Sequence, residues 1–156
     1  MIHVADERFI RLIALGKKRT HRFPANRKMN GELTNPKMAL GRIHKVYTQA
    51  PFGKDGNPKA KPLLEVRIDD FFPDVLSSIT EEEARIEGFA SVKAFGDFWD
   101  STYDHKGIKF NRDRFKPIWV VSFTLVKVLP AGKKLIKKLE EEAKAKAQKR
   151  AKSTGA

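Results

Sequence analysis

The sequence predicts an α+β protein in which short helices pack beside a mostly antiparallel sheet. Three observations lead to this fold class. Two segments have the residue pattern of strands, two short segments carry helix caps, and one long apolar run is rich in β-branched residues. Because the expected strands are short, we predict that the sheet curls into a small β-barrel.

The size and composition of the chain fit one domain. Its 156 residues are 40% hydrophobic and 33% charged, which suffices for one core but not for two. We assign residues 1–130 to this domain, with 24–62 as a loop-rich elaboration. Residues 131–156 form a basic tail that is helical or disordered.

Several classes of protein are excluded by what the sequence lacks. The chain has no cysteine, which excludes disulfides, thiolate metal sites and a cysteine nucleophile and is compatible with the cytoplasm. It contains no apolar run long enough to span a membrane, and its N-terminus lacks the apolar region of a signal peptide. We therefore expect a cytoplasmic protein without membrane contact.

The first predicted element is a short helix over residues 6–16. Phe9 and Leu12 follow the spacing of one helical face, and Gly16 is a natural stop. Residues 17–23 come next and are strongly basic up to Pro24. We expect this segment to form a turn.

Two strands are predicted over residues 42–49 and 63–72. In the second strand apolar residues alternate with charged ones, as in a strand with one buried face. The stretch between them is rich in Gly, Pro and Asn. We therefore predict a long hairpin with Asp55-Gly56 at its bend.

Two helices are predicted after these strands. Thr80 and Glu83 have the spacing of a capping box, which opens a short acidic helix that ends at Gly88. Ser91 suits the cap position of a second helix with an apolar face. The side chains of that face are Val92, Phe95, Phe98 and Trp99, with Tyr103 one turn beyond.

The C-terminal part combines one strand and one helical segment. Residues 118–129 are largely apolar, which predicts a central strand buried on both faces. We expect residues 130–132, Pro-Ala-Gly, to break the chain. Residues 133–152 are rich in Lys, Glu and Ala and form a helical segment whose far end has little to pack against.

The charge of the chain is divided into blocks, and its total is +13. Residues 1–62 carry 14 Lys and Arg against 4 Asp and Glu, and residues 63–104 carry 3 against 11. Residues 105–132 carry 6 against 1, and residues 133–156 carry 9 against 3. A strongly basic small domain most often has a polyanionic partner, so we predict RNA or another nucleic acid. The alternative is that the opposite blocks serve self-association or a charged protein partner.

Two stretches together resemble the ASCH domain of the PUA-like superfamily. The first is the opening helix running into the basic turn, residues 9–22. The second is an Ala-x-x-Glu-Gly-Phe segment at 84–89, followed by a Trp-bearing helix and a closing apolar strand. The resemblance covers residues 8–23 and 63–128 and does not extend to 24–62 or to the tail.

The resemblance implies a PUA-like β-barrel with a cleft where the basic turn faces the Glu-Gly-Phe segment. Such domains mostly bind RNA, often around a modified or exposed base. A few are amidohydrolases that remove the acetyl group from acetylated cytidine, and others have been proposed as ribonucleases. It therefore implies RNA binding, or else hydrolysis of a modified nucleoside, with no cofactor in either case.

The resemblance to the amidohydrolases assigns catalysis to Lys17, Thr20 and Glu87, with Arg22 lining the cleft. A threonine hydroxyl attacks only when a base takes its proton, and a lysine serves as base when burial or cationic neighbours lower its pKa. A second register keeps the family's glycine-to-lysine spacing and selects Lys18, with His21 at the nucleophile position. Both registers stay open, and Glu87 has an equally good structural interpretation as an ion-pair partner.

For the binding function, we predict phosphate contacts from cations and base stacking on an aromatic ring. The residues assigned to these roles are Lys17, Lys18, Arg19, Arg22 and Trp119. Trp119 is favoured as a core residue when its strand is considered alone. No two of the four histidines have ligand spacing, so we expect no metal, and the oligomeric state is left open.

Overall fold

The structure, a computed structural model, describes residues 2–4, 6–36, 38–48 and 60–154, apart from the side chains of His105 and Thr154. Within these residues the strands are Ile2–His3 (β1), Thr20–Pro24 (β2), Ile43–Tyr47 (β3), Leu64–Val75 (β4) and Pro117–Val128 (β5). The α-helices are Arg8–Ala14 (α1), Glu81–Glu87 (α2), Val92–Tyr103 (α3) and Pro130–Thr154 (α4). The α+β class predicted from the sequence is confirmed.

The described strands form one sheet in the order β1-β3-β4-β5-β2. The pair β1 and β3 is parallel, and the other three pairs are antiparallel, as the sequence predicts for most of the sheet. The two longest strands, β4 and β5, pair along their whole length at the centre. Two irregularities in their register, near Val66 and near Asp69, bend this central pair.

The described sheet is open, so the prediction of a small β-barrel is not confirmed. Closure needs a hydrogen-bonded ladder between the edge strands β1 and β2, and these strands are not neighbours in the sheet. Side chains of the two edge strands meet at this gap instead, because His21 of β2 and His3 of β1 line the same cavity. A cavity occupies the remaining space between the two edges.

The helix predictions between Thr80 and Tyr103 are confirmed. Thr80 Oγ1 accepts from the Glu83 backbone N at 3.2 Å, and the Glu83 carboxylate accepts from the Thr80 backbone N at 3.1 Å, which completes the capping box. Ser91 caps α3 by accepting from the Ala94 backbone N at 3.1 Å. These local bonds satisfy backbone donors that no helical carbonyl reaches.

Two local predictions are corrected. The basic segment is not only a turn, because its second half forms β2 and pairs with β5 from Thr20 to Pro24. The break expected at Pro130 is the start of α4, since proline is well suited to the first position of a helix. The predicted bend at Asp55-Gly56 lies outside the described residues.

The core lies on both faces of the sheet. One cluster packs α1 and β1 against β3, β4 and β5, with Leu135 and Ile136 of α4 at its margin. The other cluster lies between the sheet and α2–α3 and contains Trp99. Adjacent residues of β5, Val120 and Val121, enter different clusters, so the prediction of a strand buried on both faces is confirmed for its first half. From Thr124 to Val128 the strand is exposed or half-buried.

The longest helix, α4, has 25 residues, and its sequence is dominated by Lys, Glu and Ala. In the part of the chain that the structure describes, no helix combines the length and the apolar character that crossing a bilayer requires.

Candidate functional site

The basic segment folds against the C-terminal end of α2. The backbone N of Arg19 donates to the carbonyl of Ile86 at 2.8 Å, which fixes the segment to the last turn of the helix. Gly88 makes this approach feasible, because it has φ +102° and because a Cβ there would lie 3.2 Å from Leu12 Cδ1 and 3.5 Å from Lys18 Cβ. The resulting junction places the carboxylate of Glu87 beside β2.

The carboxylate of Glu87 is buried, with 2% of the residue exposed, and it is fully occupied by hydrogen bonds. Oε2 accepts from Thr20 Oγ1 at 2.6 Å and from Arg22 Nη1 at 2.9 Å. Oε1 accepts from the backbone N of Arg22 at 2.6 Å. Three donors from one strand therefore hold one carboxylate in a fixed position.

The ammonium of Lys18 is buried in the same cluster, with 1% of the residue exposed. Lys18 Nζ lies 3.6 Å from Glu87 Oε1 and donates to the backbone carbonyls of Glu87 and Thr20 at 2.7 and 2.8 Å. It also lies 4.6 Å from the centre of the Phe9 ring, within range of a cation–π interaction. The bond to the Glu87 carbonyl places a positive charge at the negative end of the α2 dipole.

The charges in this cluster balance. Arg22 Nη2 donates to the half-exposed Glu83 at 3.2 Å, so two cations, Lys18 and Arg22, face two carboxylates. We call Lys18, Arg22, Glu83 and Glu87 the buried ion cluster. Buried charges of this kind are tolerated only when each has a partner, and removal of one partner leaves a costly unpaired charge.

Burial and pairing act on the pKa values in opposite directions. Burial alone would raise the pKa of Glu87, but the charges of Lys18 and Arg22 and the Thr20 hydrogen bond hold that pKa below its usual range. Burial lowers the pKa of Lys18, and the charge of Glu87 opposes that shift. A lysine with a lowered pKa beside a threonine hydroxyl is the chemistry that a base-assisted nucleophile requires.

The structure combines residues from both predicted registers. Lys18, Thr20 and Arg22 all meet Glu87, because alternate residues of an extended segment point to the same side. Lys17 is exposed and belongs to no ion pair among the described residues. His21 is buried on the opposite side of β2. The pair assigned first, Lys17 with Thr20, is thus not brought together, whereas Lys18 and Thr20 are.

The residues predicted to bind nucleic acid separate into exposed and buried groups. Lys17 and Arg19 are exposed, whereas Lys18 and Arg22 are buried and occupied by carboxylates. Only the exposed pair is free to meet a phosphate in this conformation. Trp119 is 6% exposed, and its indole Nε1 donates to the Thr34 carbonyl at 3.2 Å. Its ring is therefore packed into the protein and does not project into solvent.

A cavity of about 380 Å³ lies between the edge strands β1 and β2, and we call it the edge cavity. Its walls combine aromatic rings with side chains that donate and accept hydrogen bonds. The lining side chains that matter below are His21, Phe23, Asn35, Tyr103, Lys106 and Trp119. This grouping has no signal in the sequence, because the residues come from separate segments that only the edge of the sheet brings together.

Three titratable rings line the edge cavity, those of His3, His21 and Tyr103, and the last two are neutral at physiological pH. Burial, with the nearby charge of Lys18, lowers the pKa of His21 to about 4. Burial, with the nearby charge of Glu87, raises the pKa of Tyr103 to about 12. The buried ion cluster lies behind the cavity wall, because His21 lines the cavity and the next residue of β2, Arg22, is paired with Glu87. Lys106 supplies a cation at the rim.

A second, shallower cavity of about 490 Å³ lies on the outer side of the junction between the basic segment and α2. Exposed cations line it, including Lys17, Arg19 and Arg85. The carboxylate of Glu87 does not reach it, because that carboxylate faces β2. Among the described residues, no group of three His, Asp or Glu side chains is placed to hold a metal ion.

Comparison with known proteins gives a likeness of fold. No protein-family model matches the sequence, and a search of curated proteins finds no matching relative. Among solved structures, the chain is similar to a protein of family-model DUF984 from Enterococcus faecalis, with 14% identity and a TM-score of 0.55. That match covers 83% of this chain and 81% of the other. It shows a shared α+β fold and nothing about activity.

The chain is also similar to an ASCH domain from Lactobacillus crispatus, with 22% identity and a TM-score of 0.49. This match covers 78% of this chain and 75% of the other. The match bears the family name to which the sequence resemblance pointed.

Proposed function

We propose that this protein binds single-stranded RNA and takes one base into the edge cavity. The observation that carries this proposal is the composition of the cavity walls. Aromatic rings at Phe23, Tyr103 and Trp119 offer faces or edges to a planar base, and Asn35 offers amide groups for its polar edge. The volume of about 380 Å³ lies within the range of small-molecule sites, roughly 300–1,000 Å³.

The neutral state of the His21 and Tyr103 rings supports a base as the occupant. A charged imidazole or phenolate would favour an ionic ligand, whereas the pKa values of His21 and Tyr103 keep both rings uncharged between about pH 4 and 12. The positive charge lies outside the cavity, at Lys106 on its rim and in the exposed cations of the basic segment. This division suits a base held inside and phosphates held outside.

The experiment is a salt titration of binding to a labelled ten-nucleotide RNA. We expect binding at low salt and a linear fall of the logarithm of the affinity with the logarithm of the salt concentration, because phosphate contacts release counterions. Lys106→Glu reverses the charge on the cavity rim and should weaken binding by roughly tenfold at low salt. Lys93→Glu makes the same charge change at the other end of α3 and is the matched control. Absence of binding at low salt contradicts the proposal.

A second function, hydrolysis of an acylated cytidine, is favoured by one observation. Thr20 Oγ1 donates to Glu87 Oε2 at 2.6 Å, with Lys18 Nζ 3.6 Å from the other oxygen of the same carboxylate. In that reaction Thr20 Oγ attacks the acetyl carbonyl and forms an ester. The bond from carbon to the leaving amine breaks, and Glu87 passes the hydroxyl proton to that amine. Water then hydrolyses the ester and releases acetate.

The test of hydrolysis is incubation with acetylated cytidine, followed by chromatography of the products. Turnover that disappears in Thr20→Ala and persists in Thr20→Ser establishes the hydrolase. We rank this function second because Thr20 does not line the edge cavity, so no described cavity brings an acyl group to its hydroxyl. RNA binding without turnover leaves Thr20 and Lys18 with a structural role.

A further inference from the structure

An exposed phenylalanine among cations stands next to the edge cavity. Phe115 is 82% exposed, in the loop that leads into β5. It lines a cavity of about 390 Å³ together with four cations. We call the set Arg27, Arg112, Arg114, Phe115 and Lys116 the Phe115 surface. A ring so exposed gains little from burial, and its face is accessible to a ligand.

The loop that carries Phe115 is held firmly at both sides. The carbonyls of Arg114 and Lys116 accept from the backbone N of Ser77 and of Leu76, each at 3.0 Å. Before them, the backbone N of Asp113 donates to the Lys109 carbonyl at 2.8 Å. Phe115 is therefore presented on a fixed backbone.

Most of the positive charge of this surface is not neutralised within the protein. Of its four cations, only Arg112 pairs with a carboxylate of the described residues, with 2.9 Å between Nη2 and Asp113 Oδ2. Arg27 donates to the Gly31 carbonyl at 2.7 Å, which leaves its charge uncompensated. The four cations and one carboxylate give the surface an excess of positive charge, so an anionic ligand complements it.

The Phe115 surface adjoins the edge cavity. Asn26 lines the edge cavity, and its neighbour Arg27 belongs to the Phe115 surface. The two chain segments concerned are tied together, because the backbone N of Ala25 donates to the Pro117 carbonyl at 3.1 Å. The edge cavity and the Phe115 surface are therefore lined by consecutive residues of one segment, Asn26 and Arg27.

We propose that the Phe115 surface is a stacking platform for a nucleotide that flanks the base held in the edge cavity. Phe115 stacks on the flanking base, and Arg114 and Lys116 contact the phosphates on either side of it. An aromatic face in a cationic groove is the combination that binds single strands with little regard to sequence. This inference rests on the proposed RNA binding and adds a second contact to it.

The first measurement compares variants of Phe115 by anisotropy with a labelled ten-nucleotide oligo(U) RNA. Phe115→Ala should weaken binding by roughly tenfold, the size expected for loss of one stacked base. Phe115→Trp should retain the affinity, whereas Phe115→Leu, which is apolar but not aromatic, should lose it. Phe72→Ala truncates another exposed phenylalanine, 41% exposed on β4, and should leave the affinity within about twofold.

The outcomes separate this inference from the proposed function. If the wild-type protein does not bind RNA, both are overturned. If it binds and Phe115→Ala binds equally well, the platform is overturned while RNA binding stands. If Phe115→Leu binds like the wild type, the contact is apolar and stacking is overturned. Self-association in light scattering that Phe115→Ala abolishes assigns the surface to a second copy and likewise overturns the platform.

Discussion

Lys17 and Lys18 are neighbours in sequence and opposites in environment. Lys18 is buried against Glu87 and Phe9, whereas Lys17 is exposed and lines the shallow cavity beside the junction of the basic segment with α2. The same contrast separates Arg22, which is buried and ion-paired, from Arg19, which is exposed. In this short segment burial, rather than charge, decides which cations hold the fold together and which are free for a ligand.

The contrast has a physical cause. Residues of an extended segment alternate between its two sides, and the side facing α2 finds two carboxylates there. A charge on that side is desolvated and must be paired, so its removal affects stability. A charge on the other side keeps its water, so its removal affects the electrostatic attraction of a polyanion instead.

The largest expected effect is a loss of stability on replacement of the buried lysine, Lys18. Lys18→Met removes the ammonium that Glu87 faces and two hydrogen bonds to backbone carbonyls. We expect a loss of about 3–5 kcal/mol in the free energy of unfolding, the cost of breaking a buried pair. Lys17→Met is the matched control and should change it by less than about 0.5 kcal/mol. Urea denaturation measures the free energy of unfolding of both variants. Equal losses in the two variants would contradict the difference in burial between Lys18 and Lys17.

The next largest effect is a pH dependence of the stability, which arises from His21 on the other side of β2. Burial lowers the pKa of His21 to about 4, against about 6.5 in the unfolded chain. As the pH falls below 6.5 the unfolded chain takes up this proton first, so the stability falls until about pH 4. Between pH 7 and 5 we expect a loss of about 2 kcal/mol.

Urea denaturation at the two pH values measures this loss, and His21→Asn should remove most of it. Glu87 contributes in a lower window, because its pKa is lower in the folded state. Its contribution is complete above its ordinary pKa and is lost as the pH falls through the folded value. A wild-type stability that does not change between pH 7 and 5 contradicts the burial of a neutral His21.

A smaller effect concerns the hydroxyl that the hydrolase alternative uses. Thr20→Val keeps the shape of the side chain and removes the 2.6 Å bond to Glu87. We expect a loss of about 1.5–2 kcal/mol, as for a hydrogen bond to a charged group, and Thr20→Ser should recover most of it. Thermal denaturation of the two variants measures the difference. A neutral Thr20→Val would mean that Glu87 does not depend on this donor.

The smallest effect is a change in RNA binding on replacement of Lys17, on the exposed side of the basic segment. Lys17→Met should weaken binding of the ten-nucleotide RNA severalfold at low salt and lower the slope of the salt dependence by about 0.7, the value for one phosphate contact on a single strand. Anisotropy at several salt concentrations gives the slope. Lys138→Met on α4, also exposed, shows how much of any change comes from net charge alone. An equal change in both variants would remove Lys17 from the contact surface.

The sequence predicts the elements better than it predicts the site. Caps at Thr80 and Ser91 and the apolar run of β5 are local signals, and the structure confirms the elements they predict. The sequence does not mark β2 as a strand, because its buried positions include His21 and Arg22 and apolar residues do not alternate along it. Pairing with β5 and the carboxylate of Glu87 make that strand stable, and both are distant in sequence.

The open sheet and the edge cavity have the same explanation. The sequence pattern indicates that strands exist, but closure depends on whether the first and last strands of the sheet meet. Here the first and last strands, β1 and β2, do not pair, and His21 and the edge cavity occupy the space between them. Lys18 and Arg22 could not be recognised as buried, because burial of a cation depends on a partner that folding supplies.

The most direct measurement of base binding in the edge cavity uses the two tryptophans of the chain. Trp119 lines that cavity, whereas Trp99 is packed in the core between the sheet and α3. In a ¹H–¹⁵N spectrum each indole gives one resonance, which Trp119→Phe and Trp99→Phe assign. On titration with single-stranded RNA we expect the Trp119 indole resonance to shift and that of Trp99 to stay. A bound RNA that leaves the Trp119 resonance in place, or moves both equally, contradicts binding of a base in the edge cavity.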